Sequence, residues 1–585
     1  VEKLEETSMT LVINGPNGGN AVLFGNTSGD DIINAFDFNN LIISGGANDQ
    51  ITTGAGSATV NLGAFAGVTD TVNVGGAFNT IFTSGAGQFA STLVVGGGTG
   101  HNNVNMLNTL GQNSVNLQGF LNTVTVNSDA TNILTATGGR NTVSAGKIGD
   151  GSFGFSTSIT LGGQNNKTTG GDQNFTIFGG LGFDTISVGN GDNKITEAGV
   201  KDKITVGTGN NTITDFGGSA TIHMVGSVVD DPFETNVLIS LGNTNNTVIE
   251  DNWALHSARD ITISGGTGNG VFILGDGEDH VTTSGANNFI QLGTANNLTS
   301  PFDIGEPGNS IVANGDSNTI ISGDSDNFVQ ANGNNDNITI GNGPNNVTAN
   351  GSNDTITLGN GSNKLTSNGV ADKIVIGNGS NNVTANGAGD NIKLGNGNNT
   401  LAANGNTDVI NIGNGSNNVA AGGNGDLINL GTGNNTLAAT GNNDVITSAG
   451  GKGTFTLGTQ FLPGQDSLTL NASAVGTTVD SAGTQNTITL NNNANVVIND
   501  EPQGGSLTVN INATAGNAGK VSILEFENDN LGLINLHGFA GITNFAQLTA
   551  VSGSDGLGGT LIHLGTGTLD LRDEATLNST QFTYV

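Results

Sequence analysis

Residues 331–366 read ANGNNDNIT IGNGPNNVT ANGSNDTIT LGNGSNKLT, four blocks of nine with no gap between them. Asp holds the sixth place in the first and third blocks, Asn in the second and fourth. The count runs on from Ala331 to Thr447 as thirteen consecutive nonapeptides. The eighth place is apolar throughout, from Ile338, Val347, Ile356 and Leu365 to Leu437 and Ile446. Successive side chains of a strand point to opposite faces. Each block therefore spells a short strand in which place 8 and the next block's place 1 point inward, and places 7 and 9 outward.

The inward first places alternate in size. Ile340, Leu358, Ile376, Leu394, Ile412 and Leu430 take turns with Ala or Ser at 331, 349, 367, 385, 403, 421 and 439. The true period is thus 18, two strands and two turns per coil, with a large residue on one wall facing a small one across the core. Gly and Asn supply the left-handed backbone that such turns need. A helix is excluded, since each Gly would cost about 1 kcal/mol. Hairpins reverse direction, whereas a fixed recurrence stacks like on like. The reading is an all-β chain: a right-handed parallel β-roll or β-solenoid of nonapeptide pairs, 18 residues per coil, rising about 4.8 Å per coil.

Looser copies lie on both sides. Residues 179–214 read GGLGFDTIS VGNGDNKIT EAGVKDKIT VGTGNNTIT, and 274–291 read LGDGEDHVT TSGANNFIQ. Between about 62 and 178 the spacing drifts. The predicted organisation is an irregular N-terminal solenoid (1–178), a first roll (179–233), an insertion (234–262) with the single Trp253, a regular roll (263–452) and a β-rich C-terminal region (453–585). In that last region DSLTLNAS, NTITLNNN and SLTVNINAT alternate at longer spacing, as a wider solenoid or a sandwich would. A short helix is expected at 543–550, then a strand pair and an aromatic tail.

Of 585 residues, 97 are Gly and only 7 Pro, which excludes collagen. Charged residues make up 11% and hydrophobic ones 34%, an ordered rather than a disordered composition. Forty-eight acidic residues against 14 basic ones give a formal charge of −34. No basic stripe exists to neutralise phosphates, so nucleic acid is not an expected partner; divalent cations are. Cys is absent, which removes disulfides and thiolate metal sites. No apolar run reaches transmembrane length. The first residues, VEKLEETSMTLVING, lack the features of a secretory signal, so such a signal was removed or export takes another route.

The block GGLGFDTIS matches G-G-x-G-x-D-x-U-x at every defined place. Here the sequence resembles the RTX family of haemolysin-type calcium-binding repeat proteins. That resemblance implies Ca2+ held between turns by Gly-rich backbone carbonyls and Asp carboxylates, at Gly179, Gly180, Gly182 and Asp184. Asp202 holds the same sixth place in its block. In LGDGEDHVT the matching residues are Gly275, Gly277 and Asp279, with Asp276 adding a carboxylate. The long array departs from the pattern: its Asp blocks carry Gly at place 3 and keep Asp336, Asp354, Asp372, Asp390, Asp408, Asp426 and Asp444. Folded into a roll, these seven would line one edge and repel one another. Either Ca2+, a hard ion taking 6–8 oxygens, offsets them, or each Asp accepts hydrogen bonds from turn amides. On the opposite edge Asn345, Asn363, Asn381, Asn399, Asn417 and Asn435 would form an amide ladder that satisfies itself.

The six histidines are scattered. No HExxH, GxSxG or P-loop occurs, so no enzyme is expected. The tail, with TLIHLGTGTLDLRD and the closing Phe582, Tyr584 and Val585, resembles the C-terminal region of type I secretion substrates, which implies an extracellular, bacterial cell-surface location. The expected function is a self-assembling structural protein, resembling bacterial S-layer proteins or matrix fibres, helped by Ca2+. Its expected partners are copies of itself and cell-surface polysaccharide, with no transmembrane segment. The alternatives are a calcium-dependent adhesin or ice-binding module, for which Val375, Lys393, Ala402 and Asn411 break the Thr ranks, and a secreted polysaccharide-modifying enzyme.

Overall fold

Strands Asn337–Ile340 and Asn346–Ala349 each bury their second and fourth residues and turn the first and third outward. This is the alternation the nonapeptide encodes, seen here in a computed structural model. The structure describes residues 11–15, 22–25, 29–36, 39–44, 48–63, 69–84, 92–97, 99–106, 111–126, 130–146, 155–225, 235–250, 259–293, 308–458, 465–472, 476–482, 485–500, 506–526 and 532–585. The chain divides into two units, Val1–Gly305 and Glu306–Val585. The boundary falls inside the segment 263–452 that the sequence reads as one roll. Each unit is a β-solenoid with two walls of parallel strands. Among the described residues no helix is long and apolar enough to cross a membrane.

In the second unit Ile338 pairs with Ile356 on one wall and Val347 with Leu365 on the other. Between the walls lie Ile338, Ile340, Ile356 and Leu358 against Val347, Ala349 and Leu365, none more than 2% exposed. Each large side chain so buried contributes about 1.5–3 kcal/mol. A one-residue slip would turn the whole set outward, which fixes the register. The move of Gly to place 3 has a steric cause: a Cβ on Gly351 would stand 1.7 Å from the carbonyl oxygen of Gly333, one coil back. Place 5 of the Asp blocks is left-handed, with φ of 61° at Asn335, 61° at Ala371 and 62° at Thr407.

Beyond residue 453 the same solenoid continues, and a sandwich is not formed. Ile446 pairs with Leu468, Leu468 with Ile488, Ile488 with Val509 and Val509 with Ile534. The longer spacing is absorbed in the turns: Asp444 bonds to Asp466, 22 residues on. Near the end, strand Gly567–Leu571 lies parallel to Lys520–Leu524 and antiparallel to Thr560–Leu564. The helix is Phe545–Ala550, capped by Asn544, whose side chain accepts from the Gln547 N–H. Phe582 pairs with Ile534, so the aromatic tail is a strand of one wall.

In the first unit the drift between 62 and 178 lengthens coils without breaking them. Side chains equivalent in adjacent coils are 23 residues apart at Asn79 and Asn102, 20 at Asn102 and Asn122, and 25 at Asn141 and Asn166. Parts of the segment 234–262 belong to the walls. Its strands Thr235–Leu241, Thr247–Glu250 and Arg259–Ser264 pair in register with their neighbours. Equivalent positions in adjacent coils stand 26 residues apart at Ala220 and Asn246. Trp253 lies outside the described residues.

Candidate metal centre

Each Asp of the second unit's file closes one turn and opens a strand, which puts its carboxylate under the backbone of the coil before it. Oδ1 of Asp354 accepts from the N–H of Asp336 at 2.8 Å, and Asp372, Asp390, Asp408, Asp426, Asp444 and Asp466 each accept in the same way from the preceding Asp at 2.9 Å. Asp336 itself accepts from the Asn318 N–H at 2.7 Å. Oδ2 is aimed inward. In Asp336, Asp354, Asp390, Asp408, Asp426, Asp444 and Asp466 it is buried and has no hydrogen-bond partner. Only Asp372 of this file differs, because Ser367 Oγ donates to its Oδ2 at 2.5 Å. In the coils of Asp336, Asp354, Asp390, Asp408, Asp426 and Asp444 the place of Ser367 is held by Ala, and in that of Asp466 by Leu457, which offer nothing. Burial pushes Asp354, Asp390 and Asp444 up to about 7, and Asp336, Asp408 and Asp466 up to about 6.

The opposite turn carries the amide ladder. Asn345 Nδ2 donates to Oδ1 of Asn363 at 2.8 Å and to the carbonyl of Gly343 at 3.1 Å, and the pattern repeats along the file. An amide fills both roles that a carboxylate cannot. One edge is thus self-satisfied and the other keeps a row of acceptors without donors.

In the first unit Asp184 and Asp202 lie on neighbouring coils of one edge. Asp184 accepts from the Asn166 N–H (2.6 Å) and the Gly180 N–H (3.0 Å), and its own N–H donates to Asp202 at 2.8 Å. Gly179 donates to the Thr196 carbonyl at 2.9 Å, and the Gly182 carbonyl accepts from Val200 at 2.7 Å. These turn groups are therefore engaged in coil-to-coil hydrogen bonds. The strand Lys194–Glu197 ends on an inward-facing Glu197, 0% exposed, between the two Asp carboxylates. Asp184, Glu197 and Asp202 each bring one oxygen within 4.8 Å of the others; among the described residues this is the one group of three His, Cys, Asp or Glu side chains so close. Asp215, in register with Glu197, flanks it. Burial, then the charges of Asp184 and Asp202, push Glu197 up to about 9. Burial raises Asp202 to about 6 and also raises Asp184 and Asp215.

The sequence reading named Asp184 and Asp202 as metal candidates but passed over Glu197. The signal was there: Glu occupies place 1 of EAGVKDKIT, an inward place that holds Ala, Ser, Ile or Leu in the array. Asp279 is not on the edge of Asp184. It opens His280–Thr283 on the other wall, where its Oδ1 accepts from the Ile261 N–H at 3.1 Å. Burial, then the nearby Glu250, raises Asp279 well above the ordinary value. Glu250 accepts from the Gly275 N–H at 2.6 Å. Asp276 and Gly277 in the same turn are half-buried.

Compared with protein-family models, with curated proteins and with solved structures, the chain matches none of them.

Proposed function

We propose that the chain is an extracellular structural protein that assembles with copies of itself into a cell-surface layer or matrix fibre, with Ca2+ assisting folding and assembly, and that it carries no catalytic activity. The observation that carries this reading is the repetition of its outer faces. Asn350 donates to Asn332, Asn368 to Asn350, Asn386 to Asn368 and Asn404 to Asn386, at 2.6–2.8 Å, in one exposed row. Outward Thr348, Thr366 and Thr384 stand in register beside them. Much of the acid is hidden, since the Asp file is at most 1% exposed, so these faces carry less charge than the composition suggests. Interface cores are depleted in charge, and flat repeated faces suit lateral contact between copies.

The test is electron microscopy of the purified protein with Ca2+ and with chelator. Ordered sheets or filaments that dissolve on chelation are expected. Single particles under both conditions remove the reading.

A second reading, adhesion to polysaccharide, is favoured by one feature of the first unit. Outward-facing Phe78, His101, Leu121 and Arg140 stand in one rank of four adjacent strands, with Thr80, Asn103, Thr123 and Thr142 in the next. They line a shallow groove, and the Phe78 and His101 rings meet edge to face at 4.9 Å. An aromatic face beside a row of hydrogen-bonding groups suits a sugar chain; loss of polysaccharide binding in Phe78→Ala is its test. Ice binding is disfavoured, because Val375, Lys393 and Asn411 follow Thr357 in one column and Ala402 follows Thr384 in another.

A further inference from the structure

At two of the positions that correspond to Glu197 a serine meets the carboxylates of the Asp edge. Ser44 Oγ stands 2.8 Å from Oδ2 of Asp31 and 2.6 Å from Oδ2 of Asp49, bridging carboxylates of adjacent coils. Ser367 Oγ serves one carboxylate alone, donating to Oδ2 of Asp372 at 2.5 Å. At Glu197 the chain puts a third acid where these coils put a hydroxyl donor. Among the described residues Glu197 is the one acid with both carboxylate oxygens buried and unpartnered, and Oδ2 of the adjacent Asp202 is unpartnered too. Three carboxylates buried together cannot all ionise without a counter-charge, so this coil either keeps a proton on Glu197 or takes up a cation in the place that Ser fills elsewhere.

A second observation shows that the room was made for it. Gly179 precedes Glu197 by one coil on the same wall, and a Cβ there would lie 1.8 Å from Glu197 Oε2. The acid and the hollow that admits it occur together.

We infer that Asp184, Glu197 and Asp202 form a calcium site in the interior of the first unit's solenoid, with Glu197 as its central ligand. The donors are all oxygen, which selects a hard cation. Ca2+ tolerates irregular geometry and bidentate carboxylates, whereas Mg2+ demands near-octahedral geometry and keeps several waters. The three side chains are at most 2% exposed, which leaves little place for those waters. The ligands named are core side chains; of the Gly-rich turn, the Gly182 carbonyl already accepts from Val200. The inference deepens the calcium dependence proposed above and rests on it for the identity of the ion, but not on self-assembly.

The test is calorimetric titration of the full chain with CaCl2, and with MgCl2, below the concentration at which particles form, together with thermal unfolding in Ca2+ and in chelator. Glu197→Gln keeps the shape of the side chain; Glu197→Ser installs the ion-free arrangement of Ser44. Both are expected to lose one tight calcium site and the calcium-dependent rise in Tm that goes with it. Glu197→Ser is also expected to unfold at a higher temperature than the wild type in chelator. Magnesium should bind at least tenfold more weakly. Unchanged stoichiometry and affinity in both variants, no binding to the wild type, or an equal magnesium response would overturn the proposal. Assembly is read separately by microscopy: sheets that fail to form while the tight site persists would sink the structural reading alone.

Discussion

The backbone N–H of Asp354 donates to Oδ1 of Asp372 at 2.9 Å, while Oδ2 of Asp354 is buried with no partner. One oxygen of each carboxylate stitches two coils together, and the other faces a column of small residues inside. The opening alternation of Asp with Asn thus separates two chemistries, a carboxylate file with spare acceptors and an amide file with none.

The Ser367 contact predicts what the Ala positions lack. Ser367→Ala should cost about 1–3 kcal/mol, the range for leaving a buried acceptor unsatisfied. Ala385→Ser, which places a hydroxyl beside Oδ2 of Asp390, should shift the urea midpoint the other way. A loss of stability in Ala385→Ser would contradict this geometry.

The file also sets a pH dependence. Folding raises Asp336, Asp354, Asp390, Asp408, Asp444 and Asp466 from the ordinary 3.8 to about 6 or about 7, and raises Asp372 and Asp426 as well. The folded state therefore binds more protons than the unfolded one between those values, and stability falls as pH rises through that window. In calcium-free buffer the urea midpoint should be higher at pH 5 than at pH 8. Asp390→Asn, which copies the amide of the opposite edge, should flatten the slope and raise stability at pH 8 but not at pH 5.

Thr407 is β-branched and sits at φ 62°, where Gly389 and Gly425 occupy the matching places of neighbouring coils. A left-handed residue other than Gly costs about 1–2 kcal/mol. Thr407→Gly should therefore stabilise the array by about 1 kcal/mol, measured by equilibrium unfolding. Its Oγ donates to the Asn406 carbonyl at 2.6 Å, an exposed contact that offsets part of the gain.

Gly387→Ala should do the reverse. The new Cβ would meet the Gly369 carbonyl oxygen at 1.5 Å, and the atoms it meets are all backbone of the preceding coil, with no flexible side chain to yield. The coils must part, at a cost of about 3 kcal/mol or more, and limited proteolysis should find a new cleavage near residue 387.

The array from 331 to 447 was legible because one rule governs every side chain in it: the period gave the walls, the register and the inward residues. Phase is lost where coils lengthen. Asp466 extends the Asp file, yet it comes 22 residues after Asp444 and so escapes an 18-residue count. For the same reason the opposite edges of Asp184 and Asp279 were not readable across the 26-residue offset at Ala220. Glu197 was hidden by composition, because in so acidic a chain one more Glu draws notice only when its place is known to face inward. The steric demand at Gly351 and the left-handed turn at Thr407 belong to contacts between coils, which the pattern within a block does not spell.

The pairing of each strand with those of the coils just before and after it has a consequence for inheritance. Excising residues 355–372 would bring together surfaces that already fit their missing neighbours, so a whole module can be lost or copied without redesigning the rest. Such a chain can change its span by recombination between its own repeats, in steps of one coil.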